Sequence, residues 1–83
     1  MNKIRVYESN FTSVVFITNK VLVLDNCNVV KEFNNLQDAE DYAYMNYTIF
    51  IDKDLVNESQ FTWIGVDKKY VCDASKFVFT NKQ

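Results

Sequence analysis

The sequence predicts an α+β fold: a twisted antiparallel sheet of five to seven strands with one main helix packed on one face. Three observations predict it. Only the stretch Asn34 to Tyr47 (NNLQDAEDYAYMNY) repeats its apolar residues at helical spacing. Leu36, Ala39, Ala43 and Tyr47 form one stripe, and Asp38, Asp41 and Met45 project from the opposite side. Nearly everything else is made of β-branched and aromatic runs of strand length. The turns between those runs are left to ten asparagines with Asp and Ser, since the chain has one glycine, Gly65, and no proline.

The helix is predicted from Leu36 to about Tyr47. Asn35 is placed to cap it by accepting from a backbone N–H two or three residues on, and Asp38 suits the positive end of the helix dipole. The two alanines let the helix lie close on the sheet. Ahead of it, Lys3 to Tyr7 alternates as a first strand, and Glu8-Ser9-Asn10 turns the chain. Thr12 to Thr18 is apolar on both parities, as a central strand requires. Asn19-Lys20 then reads as a two-residue hairpin turn into Val21 to Asp25. A turn at Asn26-Cys27-Asn28 and a strand from Val29 to Phe33 deliver the chain to the helix. After it, Thr48 to Ile51 is a strand, because Thr48, Ile49 and Ile51 are β-branched. Asp52 to Gln60 is a loop or a single helical turn. Phe61 to Val66, Lys69 to Cys72 and Lys76 to Thr80 close the sheet, with Gly65 marking a bulge or close approach.

At 83 residues the chain makes one domain. Lys3 and Arg5 are followed by Glu8 and Asn10 rather than an apolar core, and the longest aliphatic run is Val21 to Leu24. No leader and no membrane span are expected, and the protein is placed in the cytoplasm. Cys27 and Cys72 are then reduced thiols. Three glycosylation sequons, at Asn10, Asn46 and Asn57, are chance matches in an Asn-rich chain.

No stretch carries chemistry. Without histidine the usual nucleophile–base pairs lose their base, and two cysteines cannot fill a four-ligand zinc site. Glu40 and Asp41, adjacent on a helix, point apart. Asp52, Asp54 and Asn57 resemble the opening of a calcium loop, but Val56 stands at the fifth position and no glycine follows. One glycine cannot build a phosphate cradle. No enzyme activity, metal or cofactor is expected.

Charge and aromatic content point instead to binding. The chain is +2 from Met1 to Lys31, −6 from Glu32 to Glu58 and +2 from Ser59 to Gln83, so the helix and its following loop form an acidic element. Thirteen aromatics exceed what one small core hides. Tyr42, Tyr44, Tyr7 and Tyr70 are candidates for the surface, and Trp63 for the core. A protein-binding surface is therefore placed on Asp38, Asp41, Tyr42, Tyr44 and Met45. The alternative is RNA or single-stranded nucleic acid, held on a basic-aromatic strand face of Lys68, Lys69, Tyr70, Lys76 and Lys82. Strand edges without proline add the expectation of a homodimer.

Asn, Lys, Ile, Phe, Tyr and Met supply 37 residues, and Gly, Ala, Arg and Pro only five, a bias toward A/T-rich codons. In this and in size the chain resembles the small accessory proteins that large phages carry for host takeover or counter-defence. That resemblance implies an inhibitor acting by direct binding to a host defence or toxin protein in the host cytoplasm.

Overall fold

The computed structural model describes residues 3–9, 14–23, 27–46, 48–59 and 69–77. Five strands, β1 (Ile4–Ser9), β2 (Val14–Thr18), β3 (Cys27–Phe33), β4 (Thr48–Asp52) and β5 (Lys69–Cys72), form one sheet in the order β3-β1-β2-β4-β5. The helix α1 (Leu36–Ala43) lies over β1, β3 and β2. A 3₁₀-helix, Lys53–Glu58, covers β4 and β5 on the same side, and a second, Ala74–Lys76, follows β5. The α+β architecture with one main helix on one face is thus present, with the strand number at the low end of the expected range.

The sheet is mixed rather than antiparallel. β1 runs antiparallel to β2 and β3, whereas β2 pairs parallel with β4, and β4 parallel with β5. The cause lies in the helix. A chain that leaves β3, crosses the face as α1 and re-enters the sheet beyond β2 must run parallel to β3, because a helical crossover returns it to the end from which β3 began. The Asn19-Lys20 hairpin is corrected for the same reason. β2 already has β1 on one edge and β4 on the other, so Val21–Val23 finds no strand to pair with and leaves the sheet. Leu24 and Asp25 lie outside the described residues.

Other boundaries move as well. Glu8 and Ser9 extend β1, where a turn was expected. Cys27 and Asn28 belong to β3, not to a turn. The helix ends at Ala43, earlier than Tyr47, which lies outside the described residues. The Ala43 carbonyl, which a continuing helix would offer to residue 47, instead accepts both the backbone N–H (3.0 Å) and the side-chain amide (3.2 Å) of Asn46. Lys76 closes a 3₁₀-turn and Phe77 follows it outside any strand, where a strand was expected to begin. The expected strand Phe61 to Val66, Gly65 and Trp63 lie outside the described residues.

Alternation along the strands makes two cores. Ile4, Val6, Val15, Ile17, Ile49 and Ile51 face α1 and pack with Leu36, Ala39, Ala43 and Leu55. Ala39 and Ala43 are fully buried, so the helix approaches as the alanine stripe requires. Each buried isoleucine in this layer contributes on the order of 1.5–3 kcal/mol. On the other face Tyr7, Phe16 and half-buried Phe50 pack with Ala74 and Phe77. Phe77 lies flat on Phe16, with ring centroids 4.2 Å apart and planes 10° from parallel.

Candidate functional site

The N-terminus of α1 is built as its sequence requires. Asn35, in extended conformation, accepts from the Asp38 N–H at 2.8 Å and donates to the Asp38 carboxylate at 3.3 Å. Asp38 and Asp41 are exposed on the outer face. At the other end Tyr44 is 60% and Met45 86% exposed, in the turn that follows the helix rather than on it. Tyr42 is anchored. Its hydroxyl donates to Glu8 Oε2, its ring lies 5.4 Å from that of Phe33, and Lys31 Nζ stands 5.6 Å over its centroid. The bond to Glu8, with partial burial, raises the phenol above its ordinary 10.0. Asp38, Asp41 and Tyr42 are thus exposed on α1, and Tyr44 and Met45 in the turn that follows it.

The acidic balance read from the sequence overstates the charge on that surface. Of the acids between Glu32 and Glu58, Glu40 and Asp52 are buried, Glu32 pairs with Arg5 at 3.4 Å, and Asp54 pairs with Lys20 at 2.7 Å. Asp38, Asp41 and Glu58 are exposed.

The basic-aromatic face is less complete. Tyr70 is half-exposed on β5 against the Phe50 ring, 5.1 Å away, and Lys76 is exposed. Lys68 and Lys82 lie outside the described residues, as does the side chain of Lys69. Tyr7, a surface candidate from sequence, is buried: its hydroxyl donates to Lys20 O (3.2 Å) and accepts from the Leu22 N–H (2.8 Å).

Sequence reasoning missed two buried carboxylates. Glu40 falls between Leu36 and Ala43 at i+4 and i−3, which places it on the stripe that faces the sheet, and it accepts from Ser59 Oγ. That spacing was a legible signal. Asp52, at the end of β4, accepts from Thr18 Oγ1 at 2.7 Å, from the Asp54 N–H at 3.2 Å and from Lys20 Nζ at 3.0 Å. Burial alone would push its carboxyl up. The bonds from Thr18, Asp54 and Lys20 outweigh burial and hold it below the ordinary 3.8. Bonds to Asp54 and Asp52 raise Lys20 above 10.5. Nothing local in the sequence announces the bonds from Thr18 and Lys20, because these residues lie more than 30 positions from Asp52 and Asp54.

Among the described residues no group of three or more Cys, Asp or Glu side chains is placed to hold a metal ion. Asp52 and Asp54 hold Lys20 instead. Cys72 is a half-buried free thiol that burial raises above 9.0, away from thiolate chemistry at neutral pH. Among the described residues no helix is long and apolar enough to cross a membrane. Compared with known proteins, the chain matches no family model, no curated protein and no solved structure.

Proposed function

We propose that the protein is a non-catalytic binding module that engages a protein partner through the outer face of α1 and its C-terminal turn. In the reading its composition favours, it is a phage-type inhibitor that binds a host defence or toxin protein directly in the host cytoplasm. One observation carries the binding surface: Tyr44 and Met45 are the most exposed large side chains at the helix end, beside exposed Asp38, Asp41 and Tyr42. The support beneath them is rigid. Ala39 and Ala43 are buried in the core, and Tyr42 is held by Glu8, Phe33 and Lys31, so little freedom remains at Tyr42 for a partner to freeze. Tyrosine and methionine offer large contact area, and the acids give a complementary basic partner its orientation.

The test is capture from host lysate by the tagged full chain, with and without nuclease, beside Tyr44→Ala and Met45→Ala. A partner that survives nuclease and is lost in both variants supports the reading. Loss of every partner on RNase treatment overturns it in favour of nucleic-acid binding, for which the exposed Tyr70 against Phe50, with Lys76 close by in sequence, is the supporting feature.

A further inference from the structure

β2 and β4 end side by side, but their chains leave in opposite directions. After Thr18 the chain crosses toward the Phe16 face, where residues 20–22 bond the Tyr7 hydroxyl. After Asp52 it turns to the helix face, where Leu55 joins the core with Leu36. Diverging exits from neighbouring parallel strands open a crevice outside their carboxyl ends, the place where such sheets most often hold ligands. A cleft of about 370 Å³ lies there, between the strand ends, the start of α1 and the first 3₁₀-helix. That volume falls at the lower end of the ~300–1,000 Å³ common for ligand clefts.

Its lining has two parts. Ile4, Leu36 and Leu55 supply apolar surface, and Asp54, Glu58 and Asn34 supply polar groups. The charge count is lopsided. Asp52 and Asp54 share the single ammonium of Lys20, which leaves that group one negative charge in excess. Glu58 adds a second and pairs with no cation among the described residues. Lys3, which donates to the cleft-lining Asn34 at 3.0 Å, offsets one of the two. Among the described residues the cleft thus keeps one carboxylate without a compensating cation, beside its aliphatic lining.

A long aliphatic stem ending in a planar cation matches that combination. We infer that the cleft takes an arginine side chain presented by the protein partner, its methylenes against Leu36 and Leu55 and its guanidinium toward Glu58 and Asp54. The guanidinium fork suits carboxylate and carboxamide oxygens at separate points of a wall better than a lysine ammonium does, and it is more weakly hydrated. This inference rests on the protein-binding reading above. It adds a second contact at the opposite end of α1 from Tyr44 and Met45, with Asp38, bonded to the cleft-lining Asn35, between the two.

The test uses the full ¹⁵N-labelled chain titrated with Nα-acetyl-arginine amide and, separately, with the neutral isostere Nα-acetyl-citrulline amide. The arginine probe is expected to give saturable shifts at Leu36, Leu55 and the Asn34 side-chain amide, and citrulline none there. Glu58→Gln, an exposed change that leaves the fold intact, is expected to weaken the arginine probe about fivefold, as for a partly exposed ion pair. Equal shifts from both probes, shifts elsewhere on the surface, or unchanged affinity in Glu58→Gln overturns the cleft chemistry. A partner captured by the wild type and held undiminished by Glu58→Gln overturns the arginine contact while the helix surface stands. Absence of any nuclease-resistant partner defeats the protein-binding reading instead, independently of the titration.

Discussion

Removing the Asp52 carboxylate is the sharpest perturbation this fold offers, because three donors converge on one fully buried acceptor. The 2.7 Å bond from Thr18 Oγ1 is a buried hydrogen bond to a charged group, worth about 1.5–3 kcal/mol. The Asp54 N–H, which starts the first 3₁₀-helix, adds about 0.5–1.5 kcal/mol. Lys20 is half-exposed, so its share is held to about 1 kcal/mol or less. Asp52→Ala is therefore expected to cost about 3–5 kcal/mol, the range for breaking a buried charged pair by removing one partner. An 83-residue domain has roughly 4–12 kcal/mol in total, so the variant is expected to lose at least about a quarter of its stability.

Asp52→Asn keeps an acceptor for Thr18 and loses only the charge, for about 2 kcal/mol. It also isolates the pH dependence. The Asp52 pKa is lowered on folding, so its charge-dependent stability is present above the ordinary value of 3.8 and is lost as pH falls through the folded value below it. Urea denaturation followed by circular dichroism at fixed pH between 6 and 2.5 reads both effects. The wild type and Asp52→Asn are expected to differ by about 2 kcal/mol at pH 6 and to converge in acid, with equal m-values. A constant difference across that range, or an Asp52→Ala variant within 1 kcal/mol of wild type, refutes the reasoning.

Two further outcomes follow from the packing and the sheet. Ala43→Lys forces a long cation against a fully buried seam and is expected to cost about 3–5 kcal/mol, whereas a neutral result by thermal melting would mean that α1 does not lie on the sheet as described. β3 and β5 are the outermost described strands, and Val30, Tyr70 and Val71 on them are exposed. The chain is therefore expected to self-associate, with light scattering giving twice the chain mass at high concentration and a constant monomer mass refuting it.

Local chemistry made much of the fold legible in the sequence. The stripe of Leu36, Ala39 and Ala43, the Asn35 cap and the strands around Val15–Ile17 and Ile49–Ile51 depend on neighbours within a turn or two, and each is found where its residues place it. The helical turn after Asp52 is of the same kind, because the Asp52 side chain caps the Asp54 N–H two residues on. The exposure of Tyr44 and Met45 also follows from local spacing, since the stripe already assigns the buried side.

Strand neighbours, and everything that depends on them, were decided only by the tertiary structure. Asn19-Lys20 is good hairpin chemistry, yet no edge of β2 was left to receive Val21–Val23. Tyr7 was free to be a surface residue until residues 20–22 crossed over it. Glu40 lies on the buried stripe by its spacing, but the hydroxyl that bonds it stands 19 positions away, and Asp52 remains charged in the core because Thr18 and Lys20, 34 and 32 positions away, donate to it. A carboxylate's burial cost is set by the donors around it, and those donors are chosen by which strands lie side by side. A window of sequence fixes periodicity and caps, but it contains no term for that choice.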